Sequence, residues 1–187
     1  MSLTHLLVPT FVQMLNCLSA WLAKAQATGG DDADALLSAR LAPDMFPLST
    51  QIRFACVQAQ EAVYRLKGED FPAALGGLLD EGRNGAEHPG SIADAQGRIA
   101  QTVALLEALG PDALDAAAGT MIAHALPNGM ILDLTAEQYA RDWSLSQFYF
   151  HLMSAYAILR GNGVELGKAD YVAHMFPYIR PGTMPTG

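Results

Sequence analysis

The sequence predicts an all-α protein, an up-down four-helix bundle with a small β-hairpin inserted between its third and fourth helices. In four segments apolar residues recur at steps of three or four, as on one face of an amphipathic helix. A single stretch instead holds two short apolar runs on either side of a Pro-Asn-Gly turn. The chain has 187 residues, of which 51% are hydrophobic and 16% are charged. This composition fits one compact domain, which we place at 1–187.

The first two helices are predicted by apolar stripes bounded by proline and glycine. The first helix spans about 3–27, with Pro9 either near its start or kinking its first turns, and Gly29-Gly30 ends it. Its stripe is formed by Leu7, Phe11, Met14, Leu18 and Leu22. The second helix has Pro47 in its first turn and ends at Gly68. Its stripe is formed by Leu48, Ile52, Ala55, Ala59, Val63 and Leu66.

The third helix follows a segment rich in glycine. Residues 69–90 contain five glycines and two prolines, and little in them is periodic, which predicts a loop with at most one helical turn. Ser91 and Asp94 have the spacing of a capping box. They predict a helix that starts at Ser91 and is stopped by Gly110-Pro111.

A hairpin is predicted after the third helix. Residues 119–134, GTMIAHALPNGMILDL, contain two apolar runs separated by Pro127-Asn128-Gly129. Asn-Gly is the strongest short-range signal for a hairpin turn. Thr135 with Gln138 can cap a short helical turn after the second strand.

The fourth helix is predicted to start near residue 145. Ser144 and Gln147 form a second capping-box pattern, with Trp143 and Phe148 placed as its hydrophobic staple. The segment Gly161-Asn162-Gly163 supplies a left-handed stop. The buried stripe of this helix is formed by Phe148, Leu152, Ala155 and Leu159.

Charge and cysteine usage exclude several classes of function. The formal net charge is −8 and no basic cluster reverses it locally, which argues against nucleic acid and anionic membranes as partners. The acidic run at 31–34 reads as a solvated loop, and Cys17 and Cys56 as buried, reduced thiols of a cytoplasmic protein. Polar residues interrupt the apolar amino terminus, so we expect neither a signal peptide nor a membrane span there. The tail from 164 predicts one helical turn and then an extended or disordered end.

Two segments carry a resemblance to a known family. They are LAPDMFPLSTQIRFAC at 41–56 and FYFHLMSAYAILRGNGVELGKADY at 148–171, and the likeness continues through GRIAQTVALLEAL at 97–109. The chain resembles an uncharacterised bacterial domain-of-unknown-function family within the DinB/YfiT-like superfamily, which includes metalloenzymes. The resemblance implies an up-down bundle of four helices, often assembled as a homodimer.

The resemblance also implies where a divalent metal would bind. In metal-binding members of the superfamily one histidine of the second helix and an i, i+4 pair on the fourth hold the ion. His151 matches the first member of that pair, but the i+4 position is Ala155. The second helix contains no histidine, and Gln51 and Cys56 are its nearest potential ligands. The three-histidine site therefore does not carry over as a whole.

His151 is the main candidate site residue, because it stands in a strongly apolar run. It can be a core histidine bonded to a neighbouring helix, a ligand-binding or catalytic residue without metal, or a metal ligand; we favour the first. Gln51 lies on the inward arc of the second helix. Together with His151 and Tyr156 it could form a polar pocket for a small molecule, or a purely structural hydrogen-bond knot.

The remaining histidines and the cysteines are weaker candidates for a functional site than His151. His124 alternates with apolar residues of the hairpin and is expected to be a partly buried structural residue. His5, His88 and His174 have no carboxylate or cysteine at ligand spacing and are expected at the surface. Burial on an apolar stripe should raise the pKa of Cys56, which argues against a reactive thiol.

Three hypotheses for function follow. The first, which we favour, is a metal-free protein that binds a small molecule or a partner protein. The second is a thiol-dependent transferase of the kind found elsewhere in the superfamily, and the third is a divalent-metal-dependent enzyme. The missing histidine at the i+4 position favours the first. A homodimer is expected in each case, and no substrate can be named from the sequence.

Overall fold

The protein is a bundle of four long helices, seen here in a computed structural model that describes residues 2–183. The helices are α1 (Leu3–Gly29), α2 (Leu48–Lys67), α4 (Ile92–Glu107) and α6 (Leu145–Gly161). Around the bundle α1 contacts α4 and α6, and α2 contacts the same two helices. The apolar stripes that the sequence predicts meet in a common core. The predicted all-α bundle is thereby confirmed.

Local hydrogen bonds fix where these helices begin. The Oγ atom of Ser2 accepts a hydrogen bond from the backbone N–H of His5 at the start of α1 (3.0 Å). At the start of α4, Ser91 and Asp94 form the predicted capping box, each side chain bonded to the backbone of the other. Such a cap contributes about 1 kcal/mol. A 3₁₀-helix, Gly30–Ser38, follows α1 at the acidic segment where a loop was expected.

A further helix, α3 (Ala73–Arg83), lies where we predicted a loop, and that prediction is wrong. Glycine is a poor helix former in isolation, but α3 is stabilised by packing its buried leucines against α2. Gly82 makes this packing close, because a Cβ atom there would collide with the ring of Phe54. The hydroxyl of Thr50 donates a hydrogen bond to the carbonyl of Gly82 (2.8 Å) and joins the two helices.

The predicted β-hairpin is present and consists of β1 (Met121–Ala125) and β2 (Ile131–Thr135), paired antiparallel. The N–H of Gly129 donates to the carbonyl of Leu126 (2.9 Å) and closes the turn. In the ladder His124 lies opposite Leu132. Alternation along β1 points His124 inward, where it is buried.

The hairpin leads into one continuous helical stretch that ends with α6. The short helix α5 (Ala136–Gln138) has the predicted cap at Thr135 and runs into a π-helical turn, Tyr139–Ser144, which continues directly into α6. The predicted cap at Ser144 is wrong, because Ser144 has helical backbone angles (φ −60°, ψ −52°) and no side-chain capping bond.

The predicted staple between Trp143 and Phe148 is wrong as well. The Trp143 ring lies 4.4 Å from the ring of His124, and the Phe148 ring lies 4.8 Å from the ring of Phe11. The two aromatic residues therefore serve different parts of the fold. Trp143 packs against the hairpin, whereas Phe148 packs against α1.

The carboxy-terminal segment is more helical than predicted. It forms α7 (Lys168–Tyr171) and a 3₁₀-helix, Ala173–Tyr178, both packed against α1. Asp170 ties them to α1, because its carboxylate pairs with Lys24 (2.5 Å) and its carbonyl accepts from the indole N–H of Trp21 (3.3 Å). The extended or disordered end that we predicted falls partly on residues 184–187, which lie outside the described residues.

Helix α1 is long and apolar enough to cross a membrane by length and composition alone. Its apolar stripe nevertheless lies in the core, where Leu7, Phe11 and Leu18 are fully buried. An apolar helix of this length is therefore accounted for by packing inside the bundle. The cytoplasmic location of the protein stays a prediction.

Candidate functional site

A hydrogen bond between His151 and Gln51 joins α6 to α2. The Nδ1 atom of His151 lies 2.9 Å from the Oε1 atom of Gln51. The side-chain amide nitrogen of Gln51 donates to the carbonyl of Phe46 (3.2 Å), which directs its Oε1 atom toward the histidine. An amide oxygen only accepts, so Nδ1 of His151 must donate and therefore carries the proton.

The other ring nitrogen of His151 is left as an acceptor. Burial lowers the pKa of His151 to about 4, so the ring is neutral at pH 7. With its proton on Nδ1, the neutral ring has a lone pair on Nε2. Within residues 2–183 the Nε2 atom has no hydrogen-bond partner, yet it is not fully enclosed. The rings of Phe54 and Phe150 pack edge-on against the imidazole and hold its orientation.

His151 lines a cleft of about 470 Å³ between α2, α3, α6 and the hairpin. The walls are mostly apolar. The larger apolar residues are Phe54, Val57, Phe71, Leu79, Leu126 and Trp143. A cleft of this size and lining is of the kind that binds small organic molecules. The close packing of α3 on α2 forms one wall, so the helix that the sequence did not predict helps to build the site.

The charged groups of the cleft largely neutralise one another. Arg65 donates through Nε and Nη2 to Glu61 (2.9 and 2.7 Å), one turn away on α2. The guanidinium of Arg65 also lies 4.9 Å from the centre of the Phe71 ring. At the end of α3, Arg83 lies 3.4 Å from the carboxylate of Asp80. Each guanidinium that lines the cleft therefore has a carboxylate partner, so a ligand meets no unpaired charge there.

Away from His151, the cleft wall contains three buried polar atoms that lack hydrogen bonds. They are Oε1 of Gln58, Nδ1 of His124 and Nε1 of Trp143, none of which has a partner within residues 2–183. Burial, and secondarily the charge of Arg65, lowers the pKa of His124, so this ring is neutral as well. The sequence analysis predicts a partly buried His124, which is in fact buried, and it gives no site role to Gln58 or Trp143.

Tyr156 does not join the cleft. Its ring packs edge-on against Trp21 (5.2 Å), on the side of α6 that faces α1. Residue 156 is five positions after residue 151, which is about 140° further around a helix, so the two side chains point in different directions. Of the three residues predicted for the pocket, the structure brings His151 and Gln51 together, and of these two only His151 lines the cleft.

The remaining candidate residues lie elsewhere. Cys56 is fully buried, and burial raises the pKa of its thiol to about 12, so it is not a nucleophile at neutral pH. Cys17 is also buried, with its sulfur 4.0 Å from Nδ1 of the half-buried His174. His5 and His88 are exposed. Neither cysteine forms a disulfide.

The residues around His151 do not fit the three-histidine metal site that the resemblance implies. Gln51, the side chain of α2 that contacts His151, already accepts a hydrogen bond from it, and the i+4 position of α6 carries the methyl group of Ala155. Within residues 2–183 no group of three or more histidine, cysteine, aspartate or glutamate side chains is arranged to hold a metal ion. We therefore derive no chemistry through a metal here.

The fold and this cleft define a DinB-like helical bundle with an inserted hairpin. Residues 3–172 match the family described as a domain of unknown function, DUF1993, and the chain belongs to that family. The structure is similar to a solved DinB family member from Shewanella denitrificans, with a TM-score of 0.73 and 33% identity over 98% of this chain and 96% of that chain. No curated protein matches the chain.

Proposed function

We propose that the protein binds a small, uncharged organic molecule in the cleft between α2, α3, α6 and the hairpin. The single observation that carries this proposal is the state of His151. Gln51 holds its proton on Nδ1, and the lone pair of Nε2 is left without a partner in an apolar cleft. A ligand that donates a hydrogen bond to Nε2 would satisfy this atom and cover the apolar wall at the same time.

The surroundings favour an uncharged ligand. Glu61 and Arg65 neutralise each other, and the rings of Phe54 and Phe150 pack edge-on against the imidazole. A charged molecule would lose its hydration on entering such a cleft without meeting an unpaired opposite charge. An uncharged aromatic donor loses much less and gains contact with the apolar walls.

The two enzymatic alternatives gain no comparable support. A metal-dependent activity needs a donor set that the residues around His151 do not provide. A thiol-dependent transferase would need a group that lowers the pKa of the incoming thiol, and the neutral His151 carries no positive charge to do so. Binding without turnover is the simplest use of this cleft.

The test compares phenol with anisole, which has the same ring but no hydrogen-bond donor. We expect phenol to bind the wild-type protein about tenfold more tightly than anisole, because only phenol can satisfy Nε2. In His151→Asn the side-chain amide still donates to Gln51, but nothing replaces Nε2, so the preference for phenol should disappear. Chemical-shift titrations of backbone amides lining the cleft measure both affinities.

Two results would contradict the proposal. One is equal affinity of the wild-type protein for phenol and anisole. The other is the absence of saturable shifts around the cleft with either molecule. Thermal unfolding of His151→Asn, compared with wild type at pH 7, controls for a general loss of structure.

The homodimer that the resemblance implies remains a proposal. Large hydrophobic side chains are exposed on α6 and on the segment before α2; they are Phe150, Met153, Leu41 and Phe46. Their exposure supports a self-association surface, since large apolar side chains at the surface favour contact with another chain. Sedimentation of the purified protein measures the oligomeric state.

A further inference from the structure

We infer that the end of the cleft formed by Gln58, His124 and Trp143 is a second subsite, and that it recognises a carboxamide group or a similar uncharged group with adjacent N–H and C=O. This inference rests on the proposed function, because it names the chemistry of the ligand that the cleft would bind. It is carried by different residues and different atoms from those around His151. The two ends of the cleft can therefore be tested separately.

Buried polar atoms without hydrogen bonds are concentrated among the residues of this subsite. Oε1 of Gln58, Nδ1 of His124 and Nε1 of Trp143 are all buried without a hydrogen bond inside residues 2–183. Native proteins contain few buried polar atoms without a hydrogen bond, so each of them needs a specific explanation, such as bonding to a ligand or to water. Here three belong to residues that line one cleft, and the His124 side chain is only 4% exposed.

The donor and acceptor properties of these atoms determine which ligand groups can bond to them. Trp143 Nε1 can only donate, and Gln58 Oε1 can only accept, whereas a neutral histidine nitrogen can do either according to its tautomer. A ligand that satisfies both Trp143 and Gln58 must therefore present an acceptor and a donor. A carboxamide presents both, because its carbonyl oxygen and its N–H nitrogen are bonded to the same carbon. A carboxylate lacks the donor, and a simple ester or ketone also lacks it.

Aromatic rings are packed together at this end of the cleft. The rings of His124 and Trp143 lie 4.4 Å apart, and His124 lies 5.6 Å from the ring of Tyr139. Tyr139 is fully buried behind His124, whereas the half-buried Trp143 ring lines the cleft and offers a face against which a planar group can stack. The π-helical turn Tyr139–Ser144 places Trp143 here, and π-helical turns occur frequently at functional sites. Gln58 and Trp143 are half-buried residues that line the cleft, so part of each side chain lies at its surface, and on this inference both side chains turn their polar atoms toward a bound ligand.

The test uses the indole N–H signals of the two tryptophans. Trp21 Nε1 already donates to the carbonyl of Asp170, so its signal serves as an internal control. Titration with benzamide should move the indole proton signal of Trp143 downfield and leave that of Trp21 unchanged. Trp143→Phe, which removes one of the two signals, assigns them.

The matched probe is methyl benzoate, which keeps the ring and the carbonyl group but lacks the N–H donor. We expect benzamide to bind the wild-type protein about tenfold more tightly than methyl benzoate. Gln58→Leu removes the acceptor for the amide N–H, and this preference should disappear in that variant. In His151→Asn the preference should persist, because His151 lies outside the subsite.

The outcomes separate the two proposals. If phenol binds through His151 but benzamide has no advantage over methyl benzoate and the Trp143 signal stays in place, the second subsite is overturned and the proposed function stands. If benzamide moves the Trp143 signal while phenol and anisole bind equally, the second subsite stands and the assigned role of His151 fails. If none of the four molecules binds, both proposals are overturned.

Discussion

Lowering the pH from 7 to 5 should reduce the free energy of unfolding by about 2 kcal/mol through His151 alone. Burial lowers the pKa of His151 from 6.5 to about 4 in the folded protein. Between these two values the unfolded chain binds a proton that the folded protein does not bind, so stability is lost as the pH falls from about 6.5 toward 4. Urea unfolding at a series of pH values measures this slope.

The comparison with His151→Asn isolates this residue. Asparagine can still donate to Gln51 but does not titrate, so the variant should lack this part of the slope. Burial also lowers the pKa of His124, which contributes in the same direction in both proteins and cancels in the comparison. Parallel pH profiles for wild type and His151→Asn would contradict the burial of a neutral His151.

Gln51→Leu should reduce the free energy of unfolding by about 1–3 kcal/mol. The substitution leaves Nδ1 of His151 and the carbonyl of Phe46 without their partner, and Gln51 itself is fully buried. It also removes the group that fixes the tautomer of His151. The variant should therefore lose its preference for phenol over anisole even where it remains folded.

Gln58→Leu is the matched control, because it makes the same change two turns further along α2. The Oε1 atom of Gln58 is buried without a partner, so its replacement by an apolar group should be neutral or stabilising. Equal destabilisation by Gln51→Leu and Gln58→Leu would show that the effect comes from the change of side chain. Such a result would contradict a stabilising hydrogen bond between Gln51 and His151.

The long helices and the hairpin follow from local sequence, and α3 does not. Stripes with helical spacing, the cap at Ser91 and the turn around Gly129 act within a few residues, so the chain itself displays them. In α3 the glycines argue against a helix, and the contacts that stabilise it come from Thr50 and Phe54, far away in sequence. The cap expected at Ser144 failed because a π-helical turn carries the helix through that position.

The candidate site likewise has one part that follows from local sequence and one part that depends on distant contacts. A polar contact between His151 and Gln51 was predicted, since Gln51 lies on the inward arc of its helix and His151 stands in an apolar run. The cleft itself was not, because His124 and Trp143 reach it through the hairpin and the π-helical turn, whose positions depend on tertiary packing. The rotation of about 140° between residues five positions apart on a helix already predicts from the sequence that Tyr156 and His151 point in different directions.

The central claim is that His151 presents an unprotonated Nε2 to the cleft, and a long-range proton–nitrogen NMR spectrum of the histidine rings tests it most directly. At pH 7 the account predicts that Nδ1 of His151 carries the proton and that Nε2 is unprotonated. Phenol should shift the Nε2 signal, and Gln51→Leu should release the tautomer. A proton on Nε2 with Nδ1 bare, or an imidazolium at pH 7, would contradict the account.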